Sequence, residues 1–261
     1  MRSTFPLLQA KAAYIHPFTP TGITGILSHP CPRPTLISIY STTLTLLQSL
    51  PLTSLYRIST TNITAHRLSL VSSTLPPDFQ TYHTTHIKPH LPTLLSSAKK
   101  AGWPEQKLTA AIAAAQVRAQ FKSLLDAVPE TGEGIDLDSL NYLNTVFKAQ
   151  ESALADAVDP AAVPVVATDL GQHQQPQQVG TVEIPDVPPE PQLTAQQIVE
   201  LEEKLEAGLI EEVITQGLDE MKLVKAMMEY KPWEPLVEEP VEGQWVYFER
   251  NKEGSLAGVS A

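Results

Sequence analysis

TAQQIVELEEKLEAGLIEEVITQGLDEMKLVKAMMEYKPWEPLVEEPVEGQW, Thr194 to Trp245, is the stretch that decides the fold. Its first part spells an acidic amphipathic helix. Thr194 can cap the start, and Gln197 stands three residues on, the spacing of a capping box. Apolar residues recur at Ile198, Leu201, Leu205, Ile210, Val213, Ile214, Met221, Val224 and Met228. Steps of three and four residues place them on one stripe of a 3.6-residue helix. Gly208 and Gly217 each weaken that helix by about 1 kcal/mol relative to Ala, so a bend or break is expected at Gly208. Glu200, Glu203, Glu206, Glu211, Asp219 and Glu220 fall opposite the stripe and read as a solvated face. Lys231-Pro232 ends the helix, because the residue before proline avoids helical angles. Pro232, Pro235 and Pro240 then keep the tail extended. The tail holds Trp233, Pro235, Leu236 and Trp245. A short extended peptide cannot bury two tryptophans by itself, so these residues are the partner-binding candidates.

Toward the N-terminus, residues 1–34 contain Pro6, Pro17, Pro20, Pro30, Pro32 and Pro34 and read as an extended arm over a surface. Thr35–Leu50 is a helix candidate with Leu36, Tyr40, Leu44 and Leu47 on one stripe. Its β-branched content leaves a strand open, since Ile37/Ile39 and Leu44/Leu46 also alternate. Pro51 stops it. Ser54 can cap a second helix, Ser54–Ser73, in which Tyr56, Ile63 and Leu70 repeat at seven residues. The short connection implies antiparallel neighbours. Pro34 to Tyr56 carries no charge, but Ser, Thr, Gln48 and Pro51 interrupt it. It lacks the roughly 20 apolar residues of a membrane span, and no transmembrane segment is expected.

Leu75–Trp103 reads as a Pro-containing connector. Glu105–Val128 reads as an Ala-rich helix after Pro104, and Asp136–Val158 as a second helix beyond ETGEG, the pair forming a hairpin of its own. Asp159–Leu193 is rich in Pro and Gln. Alone it would be disordered, and if ordered it should lie along another protein's surface.

GLIEEV (Gly208–Val213), KPWEPLVEEP (Lys231–Pro240) and QW (Gln244, Trp245) together resemble the alpha-subcomplex subunit 5 family of mitochondrial NADH:ubiquinone oxidoreductase, respiratory complex I. TGITGILSHPCPRPTLISIYSTTL (Thr21–Leu44) and LYRISTTNITAHRLSLV (Leu55–Val71) agree with it. The resemblance covers Thr21 to about Leu75 and Thr194 to about Trp245. It favours helix for Thr35–Leu50 and makes 76–193 an insertion that shorter members lack. The expected fold is all-α: a small three-helix bundle with an inserted helical hairpin, an extended N-terminal arm and an extended C-terminal tail. Its divisions are 1–34, 35–75, 76–193, 194–229 and 230–261. The resemblance implies a non-catalytic accessory subunit on the matrix arm, peripheral to the inner membrane on the matrix side. Its partners would be other complex I subunits of the matrix arm, including the core one related to the C-type component of the bacterial enzyme.

Charge and chemistry are compatible with that role. The 261 residues carry a net −11, divided as +7 over residues 1–104 and −18 over residues 105–261. The basic part is dilute and the aromatics few, which argues against nucleic acid. Cys31 is the one cysteine, so no intrachain disulfide can form, as suits a reducing compartment. The first 77 residues contain no acid and are rich in Ser and Thr, like a mitochondrial targeting composition. The expectation is an uncleaved, internally targeted matrix protein.

His83, His86 and His90 form the one metal-like cluster, but Cys31 is remote and no second ligand block exists, so surface histidines are the better reading. Leu55-Tyr56-Arg57 spells LYR. Proteins named for that tripeptide bind an acyl carrier, which makes a free-standing helical adaptor the alternative function. Here Tyr56 reads rather as a core residue and Arg57 as a surface or salt-bridge residue. Glu211-Glu212 and Glu238-Glu239 lack a convergent site, because adjacent carboxylates on a helix do not face each other. No dinucleotide fingerprint, P-loop, nucleophile elbow or HExxH occurs, and no cysteine set could hold an iron–sulfur cluster. No cofactor, catalytic residue or metal ligand is expected.

Overall fold

The computed structural model describes residues 14–23, 26–126, 148, 182 and 184–235, with no side-chain detail at 125 and 126. Among these residues there are α-helices and no strand, only an isolated antiparallel bridge between Pro20 and Leu27. The helices are α1 (Pro32–Leu47), α2 (Leu55–Ser73), α3 (Phe79–Tyr82, continuing as a π-helical turn, His83–Ile87), α4 (Leu91–Lys100), α5 (Glu105–Asp126), α6 (Ala195–Leu205) and α7 (Ile210–Tyr230). The chain divides into two compact units, Met1–Tyr230 and Lys231–Ala261.

The first unit is built around α1, which packs against α5, α7 and α2. That position explains its composition. Leu36, Ile39, Tyr40, Leu46 and Leu47 are buried, and so are Thr35, Ser38, Ser41, Thr42 and Thr43 between them. A helix covered on every side has no face for a charge, so the uncharged run from Pro34 is a core helix. Three threonine hydroxyls donate to carbonyls one turn back, Thr35 to Cys31 (2.8 Å), Thr43 to Ile39 (2.9 Å) and Thr45 to Ser41 (2.9 Å), whereas the buried Ser41 hydroxyl has no partner among the described residues. The helix begins three residues before the expected Thr35, because Pro32 and Pro34 fall in its first turn, where a missing N–H costs nothing.

Ser54 caps α2 as expected, accepting from Arg57 N–H. The expected seven-residue stripe is not the one that packs. Thr64 and Val71 are the buried positions of α2, whereas Ile63 is 55 % exposed.

The connector 75–103 contains α3 and α4. Its prolines did not prevent helix: Pro92 lies in the first turn of α4. α5 packs along α1, where Ala110, Ala111, Ala113 and Ala114 are buried beside Val117 and Phe121. Its expected hairpin partner, Asp136–Val158, lies outside the described residues except for Lys148.

The segment 184–193 corrects another expectation. It lies along this chain's own helices. Val187 packs with Tyr82 and Ile87, and the Tyr82 hydroxyl donates to the Pro188 carbonyl (2.6 Å). Val182 joins Leu94, Ala98 and Leu108.

The Thr194 capping box forms, with Gln197 N–H to Thr194 Oγ1 (3.3 Å) and Thr194 N–H to Gln197 Oε1 (3.1 Å). The break expected at Gly208 is real. Glu206 takes a left-handed φ of 50° and Gly208 a φ of 92°, and α7 restarts at Ile210 with Glu202 accepting its N–H (2.9 Å). Gly217 has a different cause: a Cβ there would stand 3.0 Å from Ile39 Cγ2, so its absence lets α7 approach α1.

Candidate functional site

The tail begins at the end of α7. Lys231 adopts φ 43°, and Glu234 N–H closes a turn onto the Lys231 carbonyl (2.9 Å), with Lys231 Nζ 3.2 Å from Glu234 Oε1. Residues 232–234 therefore form a turn and not the extended path expected from Pro232 and Pro235. A left-handed residue is common just past a helix end, and here Lys231 holds that position. Trp233 is half-buried and Pro235 exposed; Leu236 and Trp245 lie outside the described residues.

A recess of about 580 Å³ opens between α1, α2 and α7. It is lined by Tyr40 of α1, by Tyr56, Ile63, Thr64 and Arg67 of α2, and by Gln216, Gly217, Asp219, Glu220 and Leu223 of α7. Tyr40 is 3 % exposed, yet its hydroxyl has no hydrogen-bond partner at bonding distance among the described residues. Burial raises its pKa, and the nearby Arg67 guanidinium opposes the rise. Across the recess the Tyr56 hydroxyl donates to Glu220. Asp219 pairs with Lys222 (2.8 Å).

Two buried polar clusters join distant parts of the chain. Arg33 Nη1 meets Glu190 Oε1 at 2.5 Å, both side chains buried. Arg33 also donates to the carbonyls of Thr74 (2.7 Å) and Ser72 (3.2 Å) and lies 4.7 Å from the Phe79 ring centroid. Burial pushes Glu190 up, against the pull of Arg33, and its Oε2 has no partner among the described residues. In the second cluster Glu211, placed by sequence on the solvated face, is buried and accepts His29 N–H (3.1 Å). Burial also raises its pKa. His29 Nδ1 accepts Cys31 N–H (3.2 Å), and burial lowers its pKa from 6.5 to about 3, so the ring is neutral. Burial raises the Cys31 thiol to about 12, which removes it as a nucleophile at neutral pH.

The remaining motifs have structural work. Arg57 donates to the Leu50 carbonyl behind α1 and Tyr56 to Glu220, so the polar groups of Leu55-Tyr56-Arg57 face this chain. Arg57 is thus a tether of the α1–α2 turn and not the surface or salt-bridge residue expected. His83 stacks on Phe79 (5.9 Å) and His86 on Tyr82 (5.4 Å). Among the described residues no three His, Cys, Asp or Glu stand together to hold a metal, and no helix is long and apolar enough to cross a membrane. Sequence reasoning singled out neither Arg33–Glu190 nor Tyr40–Arg67 as a pair. Each joins elements folded together only in three dimensions, and only the isolation of Arg33 beside an uncharged run hinted at a special role.

These features define a class: among the described residues the chain is all-α, and its buried ionisable groups Arg33, Glu190, His29 and Glu211 tie distant segments together. Residues 25–88, which contain α1, α2 and α3, match the family model described as "ETC complex I subunit conserved region". The chain is similar to the mitochondrial NADH-ubiquinone oxidoreductase 29.9 kDa subunit of Neurospora crassa, 32 % identical over 278 residues that span 94 % of this chain and 95 % of that protein. It is also similar to NADH dehydrogenase [ubiquinone] 1 alpha subcomplex subunit 5 of Bos taurus, 54 % identical over 48 residues, 18 % of this chain and 41 % of that protein. The MCI4 alpha-subcomplex subunit of Candida albicans is 49 % identical over 55 residues, 21 % of this chain and 40 % of that protein. The chain belongs to this family of NADH:ubiquinone oxidoreductase (complex I) subunits.

Proposed function

We propose that this chain is a non-catalytic accessory subunit of mitochondrial respiratory complex I. It sits on the matrix arm, peripheral to the inner membrane on the matrix side, and supports assembly or stability of the electron-transfer machinery. The observation that carries this is the near end-to-end similarity to the Neurospora crassa subunit. Its partners are other matrix-arm subunits, and the contact proposed first is with the core one related to the C-type component of the bacterial enzyme. Trp233, Pro235, Leu236 and Trp245 are proposed as anchors: tryptophan in a proline-bounded segment offers large contact area at low entropic cost. The division at 76–193 is proposed as an insertion relative to shorter relatives.

Deletion of the chain tests the role. Assembled complex I and rotenone-sensitive NADH oxidation should fall together and return when the chain is restored. Undiminished assembled complex in the deletion strain would overturn a role in assembly or stability. Protease treatment of mitoplasts tests the side: protection until the inner membrane is opened supports the matrix, and digestion before that contradicts it.

A further inference from the structure

The recess between α1, α2 and α7 holds groups that the packing of this chain leaves incomplete. The Tyr40 hydroxyl is buried and, among the described residues, has no more than a loose contact with Arg67, although a buried polar group without a good hydrogen bond costs free energy. Arg67 faces the same space, and among the described residues no carboxylate pairs with it. On α7 each acid already has one partner, Glu220 the Tyr56 hydroxyl and Asp219 the Lys222 ammonium. The groups without a well-formed partner on α1 and α2 are donors, a guanidinium fork and a phenol, and one carboxylate could accept from both.

Charge narrows the occupant further. Asp219 and Glu220 line the same recess, so a doubly charged phosphate is repelled about twice as strongly as a singly charged carboxylate. A lysine or arginine would meet Arg67. Both lips are apolar and open to solvent, Ile63 at 55 % and Leu223 at 48 % exposure. Apolar lips around a buried polar centre are the arrangement in which a neighbouring protein excludes water from an anchoring contact.

We infer that this recess receives an Asp or Glu side chain of a neighbouring subunit, bound by the Arg67 guanidinium and the Tyr40 hydroxyl and sealed by Ile63 and Leu223. The inference rests on the proposal that the chain works inside complex I.

The test uses the full-length chain returned to mitochondria that lack it. A photo-reactive amino acid at Leu223 should cross-link, in the assembled complex, to a peptide of another subunit that carries an Asp or Glu. Tyr40→Phe removes a hydroxyl that has no well-formed hydrogen bond among the described residues. Its thermal unfolding should match or exceed wild type, while incorporation in competition with wild type falls several-fold. Arg67→Glu should lower incorporation by about tenfold or more, the usual scale for breaking a desolvated charge pair. Changing the cross-linked acid to Arg should restore it. Normal incorporation of both Tyr40→Phe and Arg67→Glu, or a Leu223 cross-link confined to this chain, would overturn the recess as a docking site. In that case the chain still migrates with complex I and its place there stands. A wild-type chain that migrates free of complex I would instead overturn the subunit role itself.

Discussion

Replacing Glu190 by Ala tests whether 184–193 is locked onto the bundle. Glu190 is the counter-ion of Arg33, whose residue exposure is 5 %. Removing one partner of a buried pair leaves the other charge uncompensated, at a cost of about 3–5 kcal/mol. Arg33 keeps the Thr74 and Ser72 carbonyls and the Phe79 ring, which places the loss near the lower end. Some of it is offset, because the buried and unpartnered Oε2 of Glu190 disappears as well, worth about 1 kcal/mol. The expected net loss is about 2–3 kcal/mol, or roughly 4–12 °C in Tm for a chain of this size. The assay is urea and thermal unfolding of the purified full-length protein, repeated for Arg33→Met and for Arg33→Met with Glu190→Leu. The double replacement should recover most of the loss, since an apolar pair avoids both desolvation penalties. A loss below about 0.5 kcal/mol for Glu190→Ala, within the range of ordinary surface substitutions, would refute the buried lock.

Acid should destabilise the protein through His29. Its folded pKa is lowered by burial, so between about 6.5 and about 3 the unfolded chain binds a proton that the folded chain refuses. Stability from this group is complete above pH 6.5 and falls by about 1.4 kcal/mol per pH unit below it. Glu190 and Glu211, whose pKa values are raised, act in the opposite sense above the usual carboxylate range. In His29→Gln the slope between pH 6 and pH 4 should be shallower; an unchanged slope contradicts a buried neutral imidazole. Gly217→Val should lower stability by about 1–3 kcal/mol through overpacking against Ile39, with partial recovery on adding Ile39→Ala; equal stability of Gly217→Val and wild type would deny the close approach. Trp233→Ala should reduce incorporation into the complex, by about 2 kcal/mol in binding, with circular dichroism unchanged. Lost helicity would make Trp233 a core residue, and unchanged incorporation would remove it as an anchor.

Local signals in the sequence translated well. The capping box at Thr194, the cap at Ser54, the break at Gly208 and the buried stripe from Ile198 to Val224 depend on neighbours a few residues away, and the structure shows all of them. Long-range placement was not legible. A helix buried on all sides has no stripe to read, so Thr35–Leu50 stayed ambiguous between helix and strand until a family resemblance decided it. Glu211 looks like any residue of an acidic face. Only the return of the N-terminal segment places His29 N–H against it, 182 residues away. Likewise 184–193 reads as linker because its anchors, Val187, Pro188 and Glu190, are supplied with partners by α1 and α3. The recess shares this property: Tyr40, Arg67 and Glu220 come from three helices, and no spacing within one segment reveals them.

Native gel separation of digitonin-solubilised mitochondria, with quantitative peptide profiling of each slice, tests the central claim most directly. Peptides of this chain should peak with the NADH:ubiquinone oxidoreductase core subunits, in constant ratio to them, through the whole complex and its matrix-arm intermediates. A profile peaking near the mass of the free chain, with no share in the complex I bands, would contradict membership of that assembly.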